Sequence, residues 1–382
     1  MIPLAIPNIG KREGEFLQVC VDENYVSSVG RFVTQFEGEL AKLSGTESAV
    51  AVSSGTQALH LALHALGVTH GDLVIVPSFT FIGSANAISH CGASPWFVDI
   101  DEKNWTLSAD AVEEALATKT ERTDRGLIHK ATGRRVAAIM PVYTLGTVAA
   151  MDRLGAIARA YGLKTVADAA AAIGVTFQGR PIGLFADLTT YSFNGNKTIT
   201  TGGGGAVTGP DAALVKRVKH LSSTARTTPD YDHDEVGFNY RMTNIEAAIG
   251  CAQMERLPEF LAMKRQIRDR YDAAFGDVAG VRLFPRPANG EGVFWFSGLI
   301  IDDERLPRVK DLCMALKERG VEARPFWKPV HNQPPYRTAP AEALDVTENL
   351  WSKIITLPCS TSLTEAEQTH VIDSLKPMLV AR

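Results

Sequence analysis

Short apolar runs alternate with amphipathic stretches between about residues 47 and 210. The apolar runs predict buried strands, and the stretches near residues 56–67, 81–91, 109–118 and 151–161 have the spacing of helices with one apolar face. The predicted strands are Ser48–Val52, Leu73–Val76, Ser94–Val98, Val136–Met140 and Lys164–Ala167. This alternation predicts an α/β fold with a mostly parallel sheet and helices on both of its faces.

Beyond about residue 210 the alternation gives way to long helices and then to a smaller mixed segment. The predicted elements are a charged helix near residues 254–276, strands at Val293–Ile301 and Val321–Pro325, and helices near 307–319 and 363–380. A chain of 382 residues is long enough for one large and one smaller domain. We therefore predict a large domain of residues 1–250 and a smaller α+β domain of residues 251–382.

The composition limits which kinds of binding partner and which cellular compartment we expect for the protein. Hydrophobic residues make up 45% and the net charge is −4, so neither a nucleic-acid nor an anionic-membrane partner is predicted. The five cysteines are scattered without a C-x-x-C pair, which argues against disulfides and against a metal site. No signal peptide and no apolar run long enough for a membrane span are recognised, so we expect a cytoplasmic protein without a membrane span.

Candidate chemistry follows the ends of the predicted strands, where ligands bind in parallel sheets. The segment Ser53–Leu59 leaves a strand and opens a helix, and its small residues would let backbone N–H groups approach a phosphate. The same residues are also typical of a plain helix cap. Asp168 ends another strand before a run of alanines, where its carboxylate could approach a flat ring or could simply cap a helix.

A third feature is Lys197, which follows Tyr191–Asn196 and precedes Thr200-Thr201 and four glycines. Glycines next to a lysine suggest an ammonium held against a ligand by close backbone, although a single lysine is ordinarily a solvated surface residue. A nucleotide-binding P-loop is excluded because Asn196, not glycine, precedes the lysine. The glycine run also lacks the G-x-G-x-x-G spacing of a dinucleotide-binding loop.

Taken together and in this order, these motifs resemble the DegT/DnrJ/EryC1/StrS family of sugar aminotransferases. The resemblance extends from Gly30–Glu37 through Gly237–Arg241 to Arg324–His331, nearly the whole chain. It implies a fold-type I transferase that depends on pyridoxal 5'-phosphate (PLP), with a mostly parallel seven-stranded sheet flanked by helices and a smaller α+β C-terminal domain.

The resemblance also implies roles for individual residues. Lys197 would form the Schiff base with PLP and, once freed, move a proton between substrate and cofactor. Asp168 would pair with the pyridine nitrogen and keep it protonated. Gly55, Thr56 and Ser192 would contact the phosphate.

Two further cofactor contacts are implied. Phe81 matches the aromatic position that stacks on the cofactor ring, although a core aromatic at a helix start would look the same. Asn239 would reach the phosphate of the neighbouring subunit's cofactor, which makes a homodimer with active sites at the subunit interface the expected active unit.

The chain departs from the family pattern at two places. Ala171 stands where relatives commonly carry a larger polar residue that contacts the phenolic oxygen of the cofactor, and alanine cannot donate that hydrogen bond. Tyr143 begins a segment where relatives often have a histidine. Neither change removes an essential catalytic group, and retention of Lys197 favours transamination over the dehydratase chemistry of some relatives.

The segment Arg324–His331 combines cations with aromatics, which can bind a diphosphate and stack on a sugar or base. By resemblance we assign Arg324, Trp327 and His331 to the nucleotide-sugar site, with Trp295 nearby. A structural strand with a basic edge would give the same pattern.

The expected reaction moves an amino group from glutamate to C4 of a nucleotide-linked 4-keto-6-deoxy sugar. The resemblance favours UDP-4-keto-6-deoxy-N-acetylglucosamine, with GDP-4-keto-6-deoxymannose, the perosamine branch, as the main alternative. dTDP-linked or 3-keto sugars remain open, and so does a PLP-binding regulatory homologue without turnover.

Overall fold

The computed structural model describes residues 1–287 and 292–380, so part of the predicted second domain, including its last two residues, lies outside the described residues. The helices are α1 (Lys11–Asp22), α2 (Arg31–Ser44), α3 (Gly55–Ala65), α4 (Ile82–His90), α5 (Ala109–Lys119), α6 (Met151–Tyr161), α7 (Ala212–Ser222), α8 (Asn244–Glu255), α9 (Leu257–Phe275), α10 (Val309–Glu318), α11 (Asp345–Leu350) and α12 (Glu365–Leu375). The strands are β1 (Ala49–Val52), β2 (Leu73–Pro77), β3 (Ser94–Val98), β4 (Thr120–Thr123), β5 (Gly126–His129), β6 (Arg134–Ile139), β7 (Lys164–Asp168), β8 (Thr176–Phe177), β9 (Arg180–Pro181), β10 (Leu188–Ser192), β11 (Gly205–Thr208), β12 (Val281–Leu283), β13 (Ser297–Ile301), β14 (Arg324–Pro325) and β15 (Ile354–Leu357).

The large sheet has the strand order β1-β11-β10-β7-β6-β2-β3. The four pairings from β10 to β3 are parallel, whereas β11 runs antiparallel to both of its neighbours. This confirms the predicted mostly parallel sheet of seven strands. The hairpin β4–β5, which was not predicted, adds two more strands at the start of β6.

Burial on both faces explains why the predicted strands are continuous apolar runs. Every residue of β1 and β2 is buried, and the two faces of the sheet pack into two separate apolar cores. A strand covered by helices on both sides has no polar face to alternate with. All five strands predicted in the first half are confirmed to within two residues at either end.

Two strands inside the large sheet were not predicted from the sequence. The sequence of β10 (Leu-Thr-Thr-Tyr-Ser) is mostly polar, and β11 begins at a glycine. Both strands nevertheless have a neighbouring strand on each side in the sheet. Thr189 and Thr190 are fully buried there. Threonine is β-branched and fits a pleated strand, and only the neighbouring strands determine that it is covered.

The second sheet is antiparallel, with the order β12-β13-β15-β14. Two of its strands are shorter than predicted. The predicted strand Val293–Ile301 begins only at Ser297, because Phe294 has φ +50° and a left-handed residue interrupts a strand. Similarly, only Arg324–Pro325 of the predicted Val321–Pro325 pairs as a strand, next to β15.

Helix α9 links the two parts of the chain. Its first turns place Leu257 and Phe260 in a core beneath the large sheet, and its later turns place Ile267, Tyr271 and Phe275 in the core of the second sheet. The predicted boundary near residue 250 falls just before this helix and stays a prediction. Toward the chain end, α12 stops at Leu375, since Pro377 cannot continue it.

Among the described residues, no helix has both the length and the apolar character needed to cross a membrane.

Candidate active site

The loop between β1 and α3 forms one wall of the site. Ser54 caps α3 by accepting a hydrogen bond from the amide of Gln57 over 3.2 Å, so the helix-cap interpretation is correct. A side chain at Gly55 would meet Cβ of Ser192 at 2.7 Å, which shows how closely the end of β10 approaches the helix start. A helix N-terminus flanked by a serine hydroxyl is a suitable place for a phosphate.

The glycines after Lys197 serve the protein's own backbone. Gly202 and Gly204 have φ +89° and +85°, which lets the chain turn back from β10 into β11. A Cβ at Gly205 would lie 2.5 Å from the carbonyl oxygen of Ser54. The run therefore allows this turn to pack against the β1–α3 loop. Gly203 and Gly204 also border the cavity that Lys197 borders, so the interpretation that the glycines hold the lysine against a ligand stays a prediction.

Asp168 lies at the carboxyl end of β7 and is 4% exposed. Its carboxylate accepts hydrogen bonds from the hydroxyl of Ser84 (2.7 Å) and from the amide of Ala170 (3.1 Å). Burial raises the pKa of the Asp168 carboxyl, and the two hydrogen bonds and the charge of Lys197 act in the opposite direction. A cationic ring nitrogen beside this carboxylate would offset the cost of burying its charge.

Lys197 is half-buried, and its amine lies against an aromatic face. Its Nζ is 3.6 Å from the centroid of the Trp295 ring. Burial lowers the pKa of Lys197 to about 8, while the negative charge of Asp168 partly opposes that shift. An amine with this pKa exchanges its proton close to neutral pH, as a general acid and base requires.

These groups open on a cavity of about 580 Å³ that both sheets help to line. All the residues predicted to bind the cofactor within one chain border it: Gly55, Thr56, Phe81, Asp168, Ser192 and Lys197. A cavity of this size is typical of a small-molecule site. The structure thus brings together residues that lie more than 140 positions apart in the sequence.

Aromatic side chains form the outer wall. The rings of Trp327 and Phe81 have centroids 6.2 Å apart, and those of Trp327 and Trp295 are 5.9 Å apart. Arg324 borders the same cavity but is exposed and pairs with Glu322 over 2.5 Å. Three of the four residues assigned to the sugar nucleotide therefore border the cavity, namely Arg324, Trp327 and Trp295.

The fourth, His331, does not border the cavity. Its ring nitrogens contact the hydroxyl of Ser78 and the carboxylate of Glu348, both at 2.6 Å. With both nitrogens used, His331 fastens the segment after Trp327 to the large sheet. Within this chain its contacts are structural, and its assignment to the sugar-nucleotide site stays a prediction.

Asn239 is exposed and lies away from the cavity of its own chain. It is flanked by Phe238 and Tyr240, whose rings stack at a centroid distance of 5.1 Å. Its role toward a second subunit stays a prediction.

The two departures from the family pattern lie close together. Ala171 borders the cavity with its methyl group and offers no donor, as expected. Tyr143 also borders the cavity, but its hydroxyl is buried and has no hydrogen-bond partner within residues 1–287 and 292–380.

Sequence reasoning missed several residues of the site, among them Ser84 and Leu4. Ser84, which donates to Asp168, lies on the first turn of α4 and carries no motif that distinguishes it from other helix serines. Leu4 borders the cavity because the N-terminal segment runs along the second sheet, where the Leu4 amide donates to Glu322 over 3.0 Å. Nothing in the first ten residues indicates this path.

The lowered pKa of Lys197 predicts unusual reactivity in the cofactor-free protein. Only the neutral amine reacts with cyanate, and its fraction rises with pH through the pKa. With a pKa of about 8, the neutral fraction at about pH 7 is roughly 300-fold that of an ordinary lysine. We expect carbamylation of the Lys197 peptide, followed by mass spectrometry, to show a midpoint near pH 8. The exposed Lys310 serves as the internal reference, and a midpoint above about pH 10 would contradict the prediction.

Comparison with known proteins agrees with the geometry. The pattern of the DegT/DnrJ/EryC1/StrS aminotransferase family matches residues 7–376. EpsN of Bacillus subtilis, provisionally named a pyridoxal phosphate-dependent aminotransferase, is 37% identical over 379 residues, covering 98% of this chain and 95% of that protein. The GDP-perosamine synthases of Caulobacter vibrioides and Escherichia coli O157:H7 are 36% and 35% identical, covering 99% and 98% of this chain and 98% and 97% of their own.

Solved structures show the same fold. The aminotransferase TlmJ of Streptoalloteichus hindustanus superposes with a TM-score of 0.89 at 28% identity, covering 99% of both chains. DesI, solved in the presence of its TDP-sugar product, has a TM-score of 0.88 at 28% identity, covering 99% of this chain and 92% of its own.

Proposed function

The chain belongs to the DegT/DnrJ/EryC1/StrS aminotransferase family, and from this premise we propose that it transfers an amino group from glutamate to C4 of GDP-4-keto-6-deoxymannose. The coarser activity, that of a PLP-dependent sugar aminotransferase, follows from the family and its members. The observation that carries the proposal is one cavity that holds the amine of Lys197, the carboxylate of Asp168 and the N-terminus of α3.

The residues present fit PLP. Gly55, Thr56 and Ser192 would hold the phosphate, Asp168 would hold the pyridine nitrogen, and Lys197 would be the point of covalent attachment. A Cβ at Gly55 would lie 3.0 Å from the hydroxyl oxygen of Ser192, so glycine lets this hydroxyl lie next to the helix N-terminus, where a phosphate would bind. When bound, PLP supplies an electron sink for the carbanion formed at the amino donor.

The side chains that border the cavity would supply the charge, the proton transfer and the exclusion of water that the reaction needs. Asp168, held by a hydrogen bond from Ser84, would present its carboxylate to the pyridine nitrogen. Lys197 takes up and returns a proton at its Nζ, and its lowered pKa lets it do both near neutral pH. The aromatic side chains Phe81 and Trp327 border the cavity and would limit the access of water to the reacting carbon.

The relatives favour the GDP-linked sugar over the UDP-linked sugar that sequence motifs alone favoured. Two relatives that match nearly the whole chain are GDP-perosamine synthases, and this supports the perosamine branch. Arg324 and the aromatic wall give the cavity a cation and stacking surfaces for a sugar nucleotide.

We also propose a homodimer that acts in the cytoplasm. Asn239 is exposed and outside its own cavity, so it is free to contact the cofactor of a second subunit. Replacing Asn239 with alanine should weaken PLP binding, measured by equilibrium dialysis, without changing the size of the dimer in solution.

Mass spectrometry of parallel reactions tests the substrate. PLP, glutamate and the GDP-, UDP- or dTDP-linked 4-keto-6-deoxy sugar are incubated with the protein. We expect an amino sugar from the GDP-linked substrate. Product from the UDP-linked N-acetyl sugar alone would overturn the proposed sugar. A spectrum that does not respond to glutamate would point to a PLP-binding homologue without turnover.

A further inference from the structure

Trp295 joins the loop that carries Lys197 to the second sheet. It lies just before β13, and its side chain is 3% exposed. Its indole N–H donates to the backbone carbonyl of Asn196, the residue before the lysine, over 2.7 Å. The face of the same ring lies 3.6 Å from Lys197 Nζ. One side chain therefore contacts both the backbone and the amine of the lysine segment.

The backbone of Trp295 is held from two directions. Its N–H donates to the carbonyl of Leu145, in the loop after β6, over 3.2 Å. Its carbonyl accepts a hydrogen bond from the ammonium of Lys264 at 2.8 Å, and that ammonium also donates to the carbonyl of Cys359 at 2.6 Å. Lys264 is buried, so breaking either bond would leave a buried N–H donor without a partner. The indole is thus held in one position beside Lys197.

We propose that Trp295 is a positioning residue for Lys197, whose amine rests on the indole face whenever it is not bonded to the cofactor. The inference rests on the proposed role of Lys197 as the cofactor lysine. In that role the amine would be released from the cofactor in the first half-reaction and would bond to it again only at the end of the second. A lysine has a flexible four-carbon stem, and an aromatic face that attracts the ammonium restricts where it waits.

This role differs from the contact with the sugar that sequence reasoning assigned to Trp295. The indole has a single N–H donor, and Asn196 already accepts it. One ring face is occupied by Lys197. Toward the proposed sugar site, Trp295 contacts Trp327, and the centroids of the two rings are 5.9 Å apart. A sugar contact and a positioning role therefore predict effects on different steps.

The variants Trp295→Leu and Trp295→Phe separate the two contacts. Leucine removes both the ring face and the N–H donor, whereas phenylalanine keeps a ring but loses the donor. Trp351→Leu is the matched control, because Trp351 packs against the core of the second sheet and does not border the cavity. Circular dichroism confirms that each variant is folded.

Two readouts are used, and neither requires the sugar. In cofactor-free protein, cyanate should label Lys197 about fivefold faster in Trp295→Leu than in wild type at alkaline pH, since the ring no longer covers the amine. In PLP-loaded protein, the single-turnover reaction with glutamate should slow about tenfold in the same variant. Deuterium at Cα of glutamate should slow this reaction further in the variant than in wild type, because proton transfer by Lys197 becomes limiting.

The proposal is overturned if Trp295→Leu labels and reacts with glutamate as wild type does. It is also overturned if the variant raises only the KM for the sugar, since that is the signature of a substrate contact. Should the leucine variant not fold, Trp295→Phe decides, with a slower glutamate reaction expected and an unchanged one contradicting the proposal. A wrong choice of sugar nucleotide leaves both readouts intact, whereas wild-type protein that attaches no PLP at Lys197 removes the proposed function itself.

Discussion

Replacing Lys197 with alanine is expected to abolish covalent attachment of PLP and to lower the transamination rate by about 10⁴-fold. In the proposed function, Lys197 supplies both the amine that attaches the cofactor and the proton carrier of the reaction. Among the residues that border the cavity, it is the only lysine, so no neighbouring amine can take over. Borohydride reduction followed by peptide mass spectrometry measures attachment, and product formation measures the rate.

Two controls make this result specific. Lys310→Ala removes an exposed lysine on α10 and should leave both readouts unchanged. Lys197→Arg keeps a positive charge but cannot form the imine bond, so it should also lose attachment. Cofactor that remains covalently attached in Lys197→Ala would disprove the assignment.

Replacing Asp168 with asparagine is expected to slow the glutamate half-reaction by about 10³-fold while PLP still binds. Asparagine has nearly the same size and can still accept a hydrogen bond from Ser84. It cannot, however, hold a protonated pyridine nitrogen by charge, so the ring becomes a poorer electron acceptor. Stopped-flow absorbance after mixing with glutamate measures the rate.

Asp187→Asn is the matched control for this substitution. The Asp187 carboxylate accepts hydrogen bonds from the amide and hydroxyl of Thr165, near the other end of β7. It is remote from the cavity lining, and its loss should leave the half-reaction rate unchanged. A wild-type half-reaction in Asp168→Asn would show that the carboxylate does not act on the cofactor.

Strands were predicted correctly where an apolar run in the sequence indicates that the strand is buried. The runs of β1, β2 and β3 are apolar because both faces of the sheet are covered, and this leaves a clear mark in the sequence. Strand β10 was not predicted, because its place inside the sheet depends on its pairing with β7 and β11 and not on its own composition.

Several predicted site residues that are tied to a strand end or a helix start border one cavity in the structure, and their roles stay predictions. Asp168 and Gly55 lie at such positions, Lys197 lies five residues beyond the end of β10, and the family resemblance supplied their expected roles. Ser84 and Leu4 were missed because their contacts depend on how α4 and the N-terminal segment pack. His331 was placed in the site from its neighbours in sequence, but its two hydrogen bonds turn it toward the large sheet.

The amino-acid sequence by itself therefore determined the α/β class and most strands of the large sheet, and it indicated the lysine and the aspartate that we propose for the reaction. Each of these features can be recognised within a short segment of the sequence, as an apolar run or a motif. Only the tertiary structure determined that Trp295 meets Lys197 and that Ser84 meets Asp168. The physical reason is that parallel strands and the second sheet bring distant segments to one edge, and a contact between distant segments has no local pattern.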